Sequence, residues 1–250
     1  MAQLVLVARR STVSRAAGLL GGAAVALSLV GRRGDLGLGI TFAAPGFAVC
    51  ALTGVLVGEC LGNPSATRTR TALLEVRTAS DYLPRAMTYW VLGLTAMLAV
   101  VLTTTSLVAD PDDMGRAGRA FTVACGPRAT VGVGPWPGTY YSLPIAVTVL
   151  VGGILAAAVL LTVLRRPRPA VDDTARAIDD GLRRSSARAV TAACGLVVSA
   201  PLAGATLLGG TALLKLACGP APHLGLLSLA VAALAFAASG VFVAAIRPGR

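Results

Sequence analysis

An all-α polytopic membrane protein, a transmembrane bundle of about six helices, is the fold class this sequence predicts, and three observations predict it. Of its 250 residues 55% are hydrophobic and 13% charged, with a mean hydropathy of +0.76, whereas soluble proteins carry about 25% charged residues. The apolar bulk is Ala, Leu and Val, with 29 glycines and only 4% aromatics. That composition suits helices that pack closely better than the alternating strands of a barrel. Finally, six apolar stretches each approach or exceed the roughly 20 residues that cross a hydrocarbon core.

The stretches run over about 13–31, 36–61, 86–109, 142–164, 189–217 and 223–246. The first follows Arg9, Arg10 and Arg15 and so also resembles a signal peptide, but no small-residue cleavage site stands out. Arg32 and Arg33 close a run long enough to span, and it is read as the first helix. Gly54, Gly58 and Gly62 recur at four-residue spacing in the second and put a smooth ridge on one face, suited to close helix packing. Between the second and third stretches, 62–85 reads as an amphipathic juxtamembrane helix with Leu73, Leu74, Val76 and Leu83 on its apolar side and Pro84 at its exit. The segment 110–141 is the longest polar connection. The segment 165–188 starts stiffly at Arg165-Arg166-Pro167-Arg168-Pro169, then turns helical and feeds the fifth span. Its pairs Asp172/Arg176, Asp179/Arg183 and Asp180/Arg184 stand four residues apart, the spacing at which opposite charges meet on a helix.

Charge then predicts orientation. The chain carries 22 basic residues against 11 acidic, a formal net charge of +11. With both termini in the cytoplasm, sixteen of the 22 fall on the inner side, including Arg70, Arg77, Arg85, Arg176, Arg183 and Arg184. The six left outside, Arg32, Arg33, Arg116, Arg119, Arg128 and Lys215, are partly offset by Asp35, Asp110, Asp112 and Asp113. The positive-inside rule therefore predicts a cytoplasmic-membrane protein with six spans and both ends inside. The basic balance is explained by topology, and nucleic acid is not expected as a partner. Twenty-one of the basic residues are arginines, which points to a GC-rich bacterial genome rather than to guanidinium chemistry.

Few residues suggest chemistry. Cys125 in the outer segment and Cys218 at the outer end of the fifth span share the oxidising side, so they form a disulfide or remain two thiols. Glu59 is the acid deepest in any span, a candidate functional carboxylate or an interfacial partner of an arginine such as Arg68. Trp136, Tyr140 and Tyr141 fit an interfacial aromatic belt or a substrate-facing surface. The run from Gly132 to Gly138 contains two prolines and is no phosphate loop. His223 is the only histidine, which excludes an HExxH zinc site, and no Walker A motif, nucleophile elbow or paired intramembrane carboxylate is present. The chain is not expected to be an enzyme or to hold a cofactor or metal.

The strings Arg70-Thr71-Ala72-Leu73-Leu74-Glu75-Val76-Arg77, Asp81-Tyr82-Leu83-Pro84-Arg85, Gly115-Arg116-Ala117-Gly118-Arg119, Pro135-Trp136-Pro137-Gly138-Thr139-Tyr140-Tyr141 and Asp180-Gly181-Leu182-Arg183-Arg184 together resemble multi-pass integral membrane proteins of actinomycetes. The resemblance covers most of the chain from about residue 45. It implies a bacterial inner membrane and, because that family carries no established activity, it transfers no functional residue. Size and topology also resemble export-type ABC permeases, whose inner loops dock an ATPase, which is an analogy of fold. Two functional expectations follow: a permease-like subunit working with a cytoplasmic ATPase, or an accessory or signalling protein whose basic inner loops hold a protein partner or anionic lipid. The lipid bilayer is the expected solvent, and a second copy of the chain is a possible partner.

Overall fold

The computed structural model describes residues 2–32, 38–61, 82–165, 173–216 and 218–246. Six helices and one hairpin follow in the order α1 (Ala2–Val30), α2 (Leu38–Leu61), α3 (Arg85–Leu107), β1 (Phe121–Gly126), β2 (Ala129–Val133), α4 (Thr139–Arg165), α5 (Asp173–Leu214) and α6 (Ala221–Ile246). Five of the helices are long and apolar enough to cross a membrane, and α2 contributes a shorter described apolar stretch, Phe42–Gly58. The all-α membrane class therefore stands. Leu20, Leu92, Leu150, Leu227 and Phe236 are among many large apolar side chains left exposed. Faces of that kind on several helices are what a lipid solvent covers.

Within the segment 165–188, read as turning helical and feeding the fifth span, α5 begins at Asp173 and runs for 42 residues, about 63 Å at 1.5 Å per residue. That is about twice the thickness of a hydrocarbon core. The segment 110–141 is the longest polar connection. It folds an antiparallel hairpin and ends as α4 begins at Thr139.

Helix α5 is the axis of the bundle: 78% of its apolar window is buried inside the protein, against 11% to 22% for the other four candidate spans. Its composition permits this. Ala187, Ala189, Ala192, Ala193 and Ala203 are all at or near zero exposure, and Gly195 receives the ring of Phe242 from α6. Without a hydrophobic driving force between helices in lipid, small side chains that let backbones approach supply the packing. Between α5 and α6, Ser199 and Ser239 hydroxyls add a hydrogen bond of 2.8 Å. Threonine hydroxyls along the helices bond back to their own turns, as Thr95 does to Val91 and Thr206 to Leu202, so they enter the apolar layer satisfied.

At the end away from the hairpin, Arg183 is 4% exposed and donates to the carbonyl of Val163 at 3.3 Å. Val163 lies in the last turn of α4, where helix carbonyls lack intrahelical donors, so the guanidinium serves as a cap. Arg15 of α1, 5% exposed, reaches Ser185 at 3.3 Å and Ser186 at 3.1 Å. Tyr82 donates to Asp180 at 3.4 Å. These contacts draw α1, α4 and the charged start of α5 together.

Candidate functional site: a capped cavity at the hairpin end

The hairpin is built from two alternating segments. Phe121 pairs with Val133 and Val123 with Val131, and the register slips between Ala124 and Gly126, which leaves Cys125 as the extra residue of a bulge. Phe121, Val123 and Cys125 fall on the less exposed face. That face packs with Val133 and Trp136 against Ala212 and Leu213 of α5, Leu216 just beyond its end, and Ala221 of α6. The Trp136 ring stacks on Phe121 at 4.7 Å, and its indole N–H donates to the Thr105 carbonyl at 2.9 Å. A disulfide between Cys125 and Cys218, with Cα atoms 5.5 Å apart, ties the hairpin to the turn between α5 and α6. Cys50 and Cys194 are free thiols.

The turn before the hairpin is organised around Asp112. One carboxylate oxygen accepts from the backbone N–H of Arg116 at 2.8 Å and of Met114 at 3.1 Å, and the other meets Arg119 at 2.8 Å. Gly115 and Gly118 both adopt φ +75°, the left-handed region that glycine enters without strain. A Cβ at Gly118 would also collide with Thr139 at the start of α4. Arg119 extends its guanidinium to the Tyr141 hydroxyl at 3.3 Å and lies 5.0 Å from the centroid of the Tyr140 ring, within cation–π range. Asp112, Arg119 and Tyr141 thus form one cluster joining the cap to α4.

Beneath this cluster lies a cavity of about 820 Å³. Its floor is apolar: Ala44 of α2, Ile145 of α4, and Ala200, Pro201, Gly204, Ala205 and Leu208 of α5. Pro201 has no N–H to return to Val197, and Pro45 and Pro144 interrupt α2 and α4 in the same way. Helices broken by proline at membrane depth are tolerated where the freed backbone is buried in protein or lines a cavity. Its mouth is polar, with Asp112, Asp113, Arg119 and Thr122. The volume lies in the range of about 300–1,000 Å³ that holds one small molecule. Among the described residues no His, Cys, Asp or Glu group is arranged to hold a metal ion.

The Asp112 carboxyl is held below its ordinary value of 3.8, by the Arg116 backbone N–H above all and then by the Met114 N–H and the Arg116 and Arg119 charges, which outweigh the opposing effect of burial. A folded value below the unfolded one adds stability above the ordinary carboxyl value, and that stability is lost as pH falls through the depressed one. Acidification from about pH 5 to about pH 3 is therefore expected to lower the exchange protection of the Met114 and Arg116 amides, taken relative to the intrinsic rate at each pH, more than that of the apolar part of α5. An equal loss of protection in both would remove Asp112 as the organiser of the cap.

The residues singled out in the sequence are scattered relative to this site. Cys125 and Cys218 tie down the hairpin that covers it but do not line it. Arg85 and Arg184 are exposed, but Arg183 is not, and its expected role in partner docking is corrected by its burial under α4. Arg70 and Arg77 lie outside the described residues, as do the side chains of Glu59 and Arg176. Trp136 and Tyr141, 4% and 3% exposed, are interior residues of the cap and not an interfacial belt. The exposed aromatics Tyr89 and Trp90 at the start of α3 have the exposure a belt requires. Sequence reasoning missed Asp112, Arg119 and Gly204. The paired glycines around Arg116 and Arg119 were the available signal for a tight, specific turn. Comparison of the chain with family models, curated proteins and solved structures returned no match.

Proposed function

We propose that the chain is a permease-like membrane subunit of a bacterial transport or export system working with a cytoplasmic ATPase. The observation that carries this reading is the cavity inside the helix bundle, roofed by a disulfide-tied hairpin and floored by α5 around Pro201. In this reading the hairpin faces the oxidising side, both termini are cytoplasmic, and the charged first turns of α5 project inward to meet the ATPase. The excess of arginines at the opposite end supports that orientation. Reporter fusions are expected to put Arg119 outside and Arg176 inside, and purification is expected to bring an ATPase with the chain. Absence of an ATPase together with unchanged substrate flux on deletion of the chain would discard the transport reading.

A second reading, an accessory or signalling protein, is favoured by the exposed Arg184 and Arg188 of α5 and Arg85 of α3, which form a basic surface suited to a protein partner or anionic lipid. The same purification separates the two, since a non-ATPase partner supports this one.

A further inference from the structure

We propose that the cavity binds a cationic amphiphile, its apolar body seated on the α5 floor around Pro201 and Gly204 and its positive charge held at the mouth by Asp113. This deepens the transport reading and rests on it in taking the cavity as the working part of the bundle. Arg119 is the one cation among the described residues lining the cavity. Its charge is met by Asp112 at 2.8 Å, and its second terminal nitrogen is engaged by Tyr141. An anionic ligand would have to compete with a carboxylate already in place. Asp113 also lines the cavity but is exposed and makes no ion pair among the described residues. The turn 110–119 carries three carboxylates, Asp110, Asp112 and Asp113, against Arg116 and Arg119. The mouth therefore retains one uncompensated negative charge. A floor of Ala, Ile, Leu and Pro offers only dispersion contacts and removal of apolar surface from water, which favour a bulky apolar body.

Matched ions of opposite charge test this directly. The purified full chain in detergent is dialysed against tetraphenylphosphonium and, separately, tetraphenylborate, and the saturable binding of each is measured with no ATPase present. Tetraphenylphosphonium is expected to bind about tenfold more tightly or better. Asp113→Asn is expected to lower that affinity several-fold and narrow the preference between the ions. Gly204→Phe adds a ring at a cavity-lining position where a Cβ meets nothing within 4 Å and is expected to abolish saturable binding. Leu208→Trp, at a half-buried position of the cavity lining, provides a second blocking variant, and retention of the Cys125–Cys218 bond reports that each variant has folded. Equal binding of the two ions, tighter binding of the borate, an unaffected Asp113→Asn chain, or saturable binding that survives both blocking variants would each overturn the proposal. Phosphonium binding without an ATPase partner or flux would keep this site and discard transport, whereas flux without phosphonium preference would do the reverse.

Discussion

Gly54→Leu is expected to drive α1 away from α2 and to cost about 3 kcal/mol, the upper part of the usual range for overpacking a tight contact. A Cβ at Gly54 would stand 2.7 Å from both the Gly18 Cα and the Ser14 carbonyl oxygen, and a Cβ at Gly18 would stand 2.8 Å from the Gly54 Cα and the Cys50 carbonyl oxygen. These are backbone atoms, so relief requires moving a whole helix. The contact continues at Gly22, where a Cβ would lie 2.7 Å from the Phe47 carbonyl oxygen, and at Gly58, 2.5 Å from the Ser14 hydroxyl. Gly153→Leu in α4 is the control, since a Cβ there meets nothing within 4 Å. It is expected to change stability by no more than about 0.5 kcal/mol. Unfolding of the purified chain in mixed micelles measures both. Since Leu also has the higher helix propensity, a similar loss in the two variants would mean that the close approach does not decide the outcome.

Cys125→Ser, Cys218→Ser and the double variant are expected to loosen the cap equally, because all three remove one bond. The cysteines are 93 residues apart, and a free loop of about that length would give roughly 4.7 kcal/mol of stabilisation in the chain-entropy model. Spans that stay inserted in the bilayer already restrict the open chain, so about 2–4 kcal/mol is the expected loss, felt by the hairpin and not by α5. Tryptic cleavage after Arg128, in the exposed hairpin turn, is expected to accelerate by a common factor in all three variants. Additive effects of the two single substitutions would show that the sulfurs matter separately. The cap should loosen without detaching, because Trp136, Phe121 and Val133 keep their packing on the end of α5.

The helices were legible because hydropathy in windows of about 20 residues responds to lipid directly. What hydropathy does not report is which helix lies at the centre. Arg183 was read as an outward charge on an i,i+4 ladder, a sound inference for a helix with one solvated side. Arg183 itself points away from that side, because α4 ends against it and needs a donor for Val163, while Arg184 and Arg188 stay exposed. The density of Ala and Gly from Ala187 onward was the usable sign that other helices surround α5. The hairpin was written in the alternation Phe121-Thr122-Val123 and Ala129-Thr130-Val131, but five to six residues of period two are a weak signal beside six apolar runs. The Asp112–Arg119–Tyr141 cluster joins residues separated by a strand pair, and only the folded turn brings them together. Trp136 and Tyr141 look identical in sequence whether they face headgroups or the interior.

The disulfide also imposes an order of events on the making of the protein. Cys125 is synthesised before α4 and α5 exist, and its partner arrives only after the whole of α5 has been laid down. The hairpin must wait, unroofed, through the insertion of two more helices, and the bond can form only on a chain whose central helix is already in place. An oxidised Cys125–Cys218 pair thus marks a chain whose central helix has been completed, and a chain that stops before the α5–α6 turn is left with Cys125 unpaired with Cys218.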